Sequence, residues 1–302
     1  MDGAYTGSGA GDDRDGQELA STPIGFPQPP QIPDIEILES WYPMLFEHRR
    51  VRVGAFGAGA ARAGGGNDVA FRPYGTDLLV GQMLAMRAYV APEGAAGGLP
   101  GATTELAIRR RDGRRAPVST AAAGVVVHAD EAFEIRCSSG GGVGDPLLRD
   151  PAKVAADVDQ GLLSSAEASA IYGVVLRRGK VASPATIRRR ESIRQARLRA
   201  AAPPAIPFTG AASSLHGGPS LPLYPGVRQR NGIAYAERSG TPLARSPEQW
   251  TTGCPVLQSA AGPGPGIVTR AYLDPSDGTM LMVEVTPQHA GAVMEVKPDH
   301  WA

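Results

Sequence analysis

The chain has 302 residues, enough for about two domains that each bury a core, which excludes a small stapled module. Gly and Pro together supply 66 residues (39 and 27) and charged residues only 20%, a composition that predicts short strands and turns with limited helix. Thirty Lys and Arg balance thirty Asp and Glu, so no overall field draws in nucleic acid or an anionic membrane, and neither is expected as a partner.

Residues 1–34 are rich in Gly, Asp and Pro, ending in Pro23, Pro27, Pro29, Pro30 and Pro33. Such a stretch buries too little apolar surface to fold alone and is expected to lie along a partner or to move freely. It lacks the basic and apolar regions of a secretory signal. No apolar run in the chain approaches the roughly 18 residues of a membrane span. Two distant cysteines, Cys137 and Cys254, form neither a disulfide framework nor a CxxC pair, so a reducing, cytoplasmic location is expected.

Residues 35–139 are predicted as a β-rich domain, with strands at 35–38, 46–53, 102–110, 125–128 and 133–137 separated by glycine-rich loops. Asp112-Gly113, between two such runs, has the chemistry of a tight hairpin turn. From Gly140 the texture changes. Asp150 followed by Pro151, with Gly161 as the left-handed stop, predicts a helix over 151–160. Ser164 and Glu167 form a capping box for a second helix ending at Gly173. A brief strand at 174–176 turns at Arg178-Gly179, and Ser183-Pro184 opens a helix to about Ala202, where Pro203 and Pro204 stop it. Residues 140–202 thus form a small α-helical appendage.

Residues 203–229, rich in Pro, Gly and Ser, are expected as a linker. Residues 230–302 are expected as a small β-rich extension with strands at 232–237, 266–273 and 279–286, the last two joined in a hairpin. The fold class is α+β: mainly antiparallel β with a small α-helical appendage and a C-terminal extension rich in β-hairpins.

Catalytic motifs are sparse. His48, His128, His216, His289 and His300 show no metal-binding spacing. Asp12-Asp13-Arg14-Asp15 resembles a calcium loop but lacks the closing glutamate in register, and is expected to be a mobile turn. Arg62 stands where a dinucleotide fingerprint needs its last glycine, and Gly179-Lys180 is followed by Val181 where a phosphate loop needs Ser or Thr. Thr6 and Ala10 break a nucleophile elbow at Ser8. Cys137 and Cys254 have no identifiable base and read as buried small hydrophobes. Between Arg177 and Arg199 nine Lys or Arg residues face the single acid Glu191. That stretch is either a solvated helix with its cations suited to the dipole or a docking face for an acidic patch of a partner.

The run from Glu134 through Ser138, Gly140, Gly144 and Asp145 to Pro151, with residues 154–164 and 171–176, closely resembles the C-terminal end of the hydantoinase B/oxoprolinase family. Glu39-Ser-Trp-Tyr-Pro43, the glycine-rich stretch 54–66 and the loop 94–101 fit in the same order, so the resemblance covers about residues 1–200. The family subunit is roughly twice as long. It works with a hydantoinase A-type ATP-binding subunit in N-methylhydantoinases, 5-oxoprolinases and ketone carboxylases. The resemblance therefore implies a non-catalytic or site-completing subunit of a cytoplasmic ATP-dependent complex of the acetone or acetophenone carboxylase type. The alternative is a hydantoinase or 5-oxoprolinase opening cyclic amides, and a reading of another class is a stand-alone scaffold.

The implied partners are a hydantoinase A-type subunit and a chain supplying the missing N-terminal half, with ATP and a divalent metal held by those partners and no cofactor by this chain alone. No family catalytic residue maps onto this sequence. Residues 253–257 and 272–278 are faintly similar to small accessory subunits of such carboxylases, without their zinc-ligand cysteines. The candidate binding residues are Gly140, Gly141, Gly142, Gly144 and Asp145, because exposed N–H groups in a glycine turn can hold an anion.

Overall fold

The computed structural model describes residues 5–20, 34–210, 218–261, 264–292 and 294–299. Its first element is a helix, α1 (Ile35–Trp41), where a strand over 35–38 was expected. The cause is local. Asp34 accepts the Glu36 N–H at 2.8 Å and supplies an N-cap, a contribution of about 1 kcal/mol that a four-residue apolar reading overlooks.

Strands β1 (Met44–Val51), β2 (Asn67–Pro73), β4 (Glu105–Arg109), β5 (Arg115–Pro117) and β7 (Ala132–Arg136) form one antiparallel sheet in the order β1-β2-β7-β4-β5. The β4–β5 turn uses Asp112-Gly113 as expected, with Gly113 at φ +81° and the Asp112 carboxylate accepting the Arg114 N–H. Val69, Leu106, Ile108, Phe133 and Ile135 make its buried face, extended by the tilted ring contacts Phe46–Phe71 and Phe71–Phe133. A two-stranded ribbon, β3 (Leu78–Leu84) with β6 (Ala121–His128), lays Met83, Val125 and Val127 against that face.

The helical region follows its caps. Asp150 accepts the Ala152 N–H to open α2 (Pro151–Asp159), and Ser164 and Glu167 exchange both capping-box bonds to open α3 (Ser165–Ile171). Val154, Leu163, Ala168, Tyr172 and Val174 bury themselves with Phe56 and Ala58. The hairpin β8 (Leu176–Arg177) and β9 (Lys180–Val181) leads to α4 (Ser183–Ala200). Ser183 is the first helical residue rather than the cap: Ala182 takes the cap position and makes no side-chain bond.

The stretch 203–229, expected as a linker, contains structure in its second half. β10 (Leu221–Tyr224) and β11 (Val227–Arg230) are the first two strands of a four-stranded antiparallel sheet completed by β12 (Ile233–Ala236) and β13 (Pro242–Arg245). A three-stranded sheet, β14 (Val256–Ala260), β15 (Ile267–Leu273) and β16 (Met280–Pro287), packs with it around Trp250, Leu243, Tyr272, Leu281 and Met282. A second cluster ties that sheet to the rest of the chain, as Leu273, Met280 and Val283 meet Leu99 and Leu198. The architecture is α+β with antiparallel sheets. None of the helices among the described residues is long and apolar enough to cross a membrane.

Residues 5–20, expected along a partner or mobile, are tied to the body of the chain, with Tyr5 and Gly7 buried and the turn at 12–14 exposed. Asn67 donates its N–H to the Tyr5 carbonyl, and Gly64 donates to the Ser8 carbonyl. The prolines at 23, 27, 29, 30 and 33 lie outside the described residues.

Candidate functional site

Gly140, Gly141, Gly142 and Gly144 sit where four glycine-rich segments meet: residues 7–16, 57–66, 94–101 and 139–144. Backbone hydrogen bonds tie them together directly. Gly57 donates to the Gly140 carbonyl, Ala10 to Gly141, Ala95 to Gly142 and Leu99 to Ala58. Val143 bridges Ala61 on one side and Ala95 on the other. The spacing tolerates no side chain: a β-carbon on Gly141 would collide with the Glu93 carbonyl, one on Gly142 with the Ala58 carbonyl, and one on Gly101 would lie 2.5 Å from the Gly140 and Ser139 oxygens. Glycine is required here for close backbone approach.

The candidate anion-binding residues are thus placed in the interior, with Gly140, Gly141 and Gly142 buried. Gly142 and Gly144 spend their N–H groups on the Leu99 and Ala95 carbonyls. Asp145 is fully buried and acts as a hub. It accepts Arg197 through both guanidinium nitrogens (2.7 and 3.2 Å), the Leu147 N–H at 2.9 Å and the Met280 N–H at 2.8 Å. A charged, multiply hydrogen-bonded carboxylate at this place joins the glycine junction to α4 and to β16. Arg197 and Arg190, which donates to the Tyr172 and Arg149 carbonyls, are members of the basic run turned inward as structural ties.

Beside the junction lies a buried ion network. Arg149, 1% exposed, forks onto Asp15 (2.6 and 2.8 Å) and reaches Asp157 at 2.9 Å. Arg62 donates to Asp157 at 2.9 Å and to Glu18 at 2.6 Å, and its N–H donates to Asp15 at 2.9 Å. The two guanidiniums lie over the rings of Tyr172 and Phe56, 5.9 and 5.0 Å from their centroids. Burial alone would raise the Asp15 carboxyl; the Arg149 fork and the Arg62 backbone donor outweigh it and hold Asp15 below the usual carboxylate range. Burial opposes the charge on Arg149 and Arg62, and their acidic partners overcome it, so both stay firmly protonated. Tyr172 is pushed above the ordinary phenol range, chiefly by burial, and stays neutral.

Arg62, notable in sequence only for breaking a dinucleotide fingerprint, is therefore half of a double clamp. The network escaped sequence reasoning because, apart from Arg149 and Asp157, its partners stand between 44 and 134 positions apart. One signal was available: Asp157 follows Val154 by three residues on the buried side of α2, where an acid needs a cation. Asp15, expected in a mobile turn, is fixed by Arg149.

The other candidates are dispersed. His48 pairs with Asp68 at 3.3 Å, alongside Arg50, while His128 and His289 are exposed; His216 and His300 lie outside the described residues. Cys137 and Cys254 are buried free thiols, and burial pushes the Cys254 thiol up, away from a reactive thiolate. Among the described residues, no group of three or more His, Cys, Asp or Glu is arranged to hold a metal. Cavities also lie elsewhere among the described residues. One, of about 510 Å³, opens between the β3–β6 ribbon and the large sheet, lined by Tyr42, Met44, Phe71, Met83 and Phe133 among others. A second, of about 490 Å³, lies in the C-terminal region beside Gln249, Thr251, Cys254, Arg270 and Tyr272. Arg270 is already engaged there by Glu284 at 3.6 Å and by the Gln288 and Gly291 carbonyls. The arrangement as a whole is suited to locking segments together.

A family model, hydantoinase B/oxoprolinase, matches residues 2–146, which takes in the N-terminal segment, the large sheet and the glycine junction as far as Asp145-Pro146. The match stops short of the helical region to about residue 200 that the sequence resemblance included. Among solved structures, the ATP-dependent caprolactamase from Pseudomonas jessenii aligns at 28% identity over 61% of this chain and 32% of its own, with a TM-score of 0.49. The nucleotide-free acetone carboxylase aligns at 22% identity over 66% of this chain and 31% of its own, with a TM-score of 0.54, a likeness of fold. This chain thus spans about a third of the length of either solved chain. Residues 2–146, whose glycine segments carry both the sequence resemblance and the junction, thus match the hydantoinase B/oxoprolinase family.

Proposed function

We propose that this chain is a structural component of an ATP-dependent enzyme that processes a ketone or a cyclic amide, of the ketone carboxylase type, completing and enclosing an architecture whose reacting groups come from companion chains. The observation that carries the reading is the family match over residues 2–146 in a chain whose aligned part covers only about a third of each solved chain. The interior supports it. The acids and cations beside the glycine junction are consumed in ion pairs and backbone bonds, which fits a role in holding segments in place. ATP and a divalent metal are assigned to the partners, a hydantoinase A-type subunit and a chain bearing the remainder of the hydantoinase B-type fold. When bound there, ATP would activate bicarbonate and the enolised ketone by phosphorylating their oxygens.

A second reading, ring opening of a hydantoin or 5-oxoproline driven by phosphorylation of the amide oxygen, draws its support from the family description itself. Isolation of the tagged chain from its native cells, followed by ATP hydrolysis assays, tests both. The expected result is recovery with large ATP-hydrolysing companions, and turnover that depends on acetone or acetophenone with bicarbonate. Dependence on hydantoin or 5-oxoproline would instead establish the second reading. Ketone- or amide-dependent turnover by the chain alone, or a stable lone monomer in its native cells, would overturn the subunit role.

A further inference from the structure

The β3–β6 ribbon is apolar on both faces. A strand with one wet face alternates apolar and polar residues, whereas a strand covered on both sides reads as a nearly continuous apolar run. β3 reads Leu-Leu-Val-Gly-Gln-Met-Leu and β6 reads Ala-Ala-Ala-Gly-Val-Val-Val-His, with no Lys, Arg, Asp or Glu in either. The inner residues meet the large sheet, yet the outer face presents Leu78, Val80 and Val126 to solvent with Leu84, which is 85% exposed, interrupted only by the uncharged Gln82 and by His128 at the end of β6. Trp41 and Tyr42 stand exposed at the end of α1, and Tyr42 also lines the 510 Å³ cavity that opens beside the ribbon. Folded chains rarely leave so large an apolar patch bare. The edges carry no lysine or bulky charge to repel another polypeptide.

We propose that this face docks a companion polypeptide through an uncharged, apolar surface, the companion being the chain that supplies the remainder of the hydantoinase B-type fold. The identity of the occupant rests on the function proposed above and on coverage: residues 1–302 align with only about a third of each solved chain, so about two thirds of such a chain has no counterpart in them. A second copy of this chain would cover the ribbon and add none of that fold. The occupant must be apolar because the ribbon offers it no charge to pair with. The surface of α4 differs in kind, since Arg188 and Arg199 there, with Arg177, Arg178 and Lys180 on the preceding hairpin, are exposed cations.

The test uses the full chain. In native cells, p-benzoylphenylalanine in place of Leu84 is expected to cross-link, on illumination, to a polypeptide that peptide mass spectrometry identifies as hydantoinase B-type. The same group in place of Asp112, at the hairpin tip, is expected to give none. The double variant Val80→Asp, Leu84→Asp should recover at least tenfold less companion. Circular dichroism and the urea midpoint check that it folds; should it unfold, Val80→Ser with Leu84→Ser takes its place. The purified parent should enhance anilinonaphthalenesulfonate fluorescence several-fold more than the variant. Cross-linking only to a second copy, no cross-link at position 84, unchanged companion recovery by the folded variant, or equal dye response overturns the proposal. A hydantoinase B-type cross-link in a complex that turns over ATP with neither ketone nor cyclic amide would sink the functional reading and leave the docking face standing.

Discussion

The glycine junction and the C-terminal sheets are both buried, yet they are held by opposite means. Around Trp250, Leu243 and Leu281 the core is filled by large side chains, and its stability follows the apolar area removed from water. Around Gly141 and Gly142 there are almost no side chains to bury, and the segments are joined by backbone hydrogen bonds flanked by the Arg149–Asp15–Asp157–Arg62 network. The contrast teaches that low side-chain volume does not mean an unfolded or peripheral stretch: backbone placed against backbone makes an interior of its own.

Substitutions can break this comparison. Gly141→Ala is expected to cost the most. Its β-carbon would strike the Glu93 carbonyl, a backbone atom that cannot swing aside, so the loss should exceed the roughly 1–3 kcal/mol of ordinary overpacking. Gly113→Ala, in open space at positive φ, should cost only about 1–2 kcal/mol. Equal urea midpoints for the two would show that close approach is not what holds the junction. Arg149→Met should destabilise by about 3–5 kcal/mol, because Asp15 loses its cation and Asp157 keeps only Arg62, and hydrogen exchange should rise first in residues 5–20. Leu243→Ala, in the side-chain core, should cost about 2–5 kcal/mol while leaving exchange at the junction unchanged.

Acid sharpens the contrast further. Asp15, and also Asp68, whose burial is outweighed by Arg50 and His48, lie below the ordinary carboxylate value in the folded state. Their contribution is therefore complete above the unfolded pKa of about 3.9 and lost as pH falls through their lower folded values. Denaturation midpoints measured from pH 6 to 3 should fall, and Asp15→Asn should flatten that fall. The smallest effect expected is Ser164→Ala, about 1 kcal/mol from the lost capping box, read as a melting shift confined to the helical region.

What was legible in the sequence was local chemistry. Asp112-Gly113, the Asp150-Pro151 start and Gly161 stop of α2, and Ser164 with Glu167 each act within a few residues, and each formed as expected. Asp34 was equally local but was hidden by the apolar residues after it, which read as a strand. The β3 strand was missed because its run does not alternate, the same property that leaves its outer face apolar. The ion network and the Asp145 hub could not be read, since the partners are brought together only by the closing of the glycine segments. Composition also misplaced residues 5–20, because the arithmetic of apolar burial leaves out the backbone bonds and the Asp15 and Glu18 ion pairs that fix this stretch.

The engagement of Asp15 by Arg149 imposes an order of events on biosynthesis. Asp15 finds its anchor only after a stretch 134 positions later has emerged from the ribosome, and Ala10 likewise waits for the Gly141 carbonyl. Contacts of such high sequence separation slow folding. Until then the nascent amino-terminal strand stays unhoused, so the final closure of this topology belongs among its last and slowest steps.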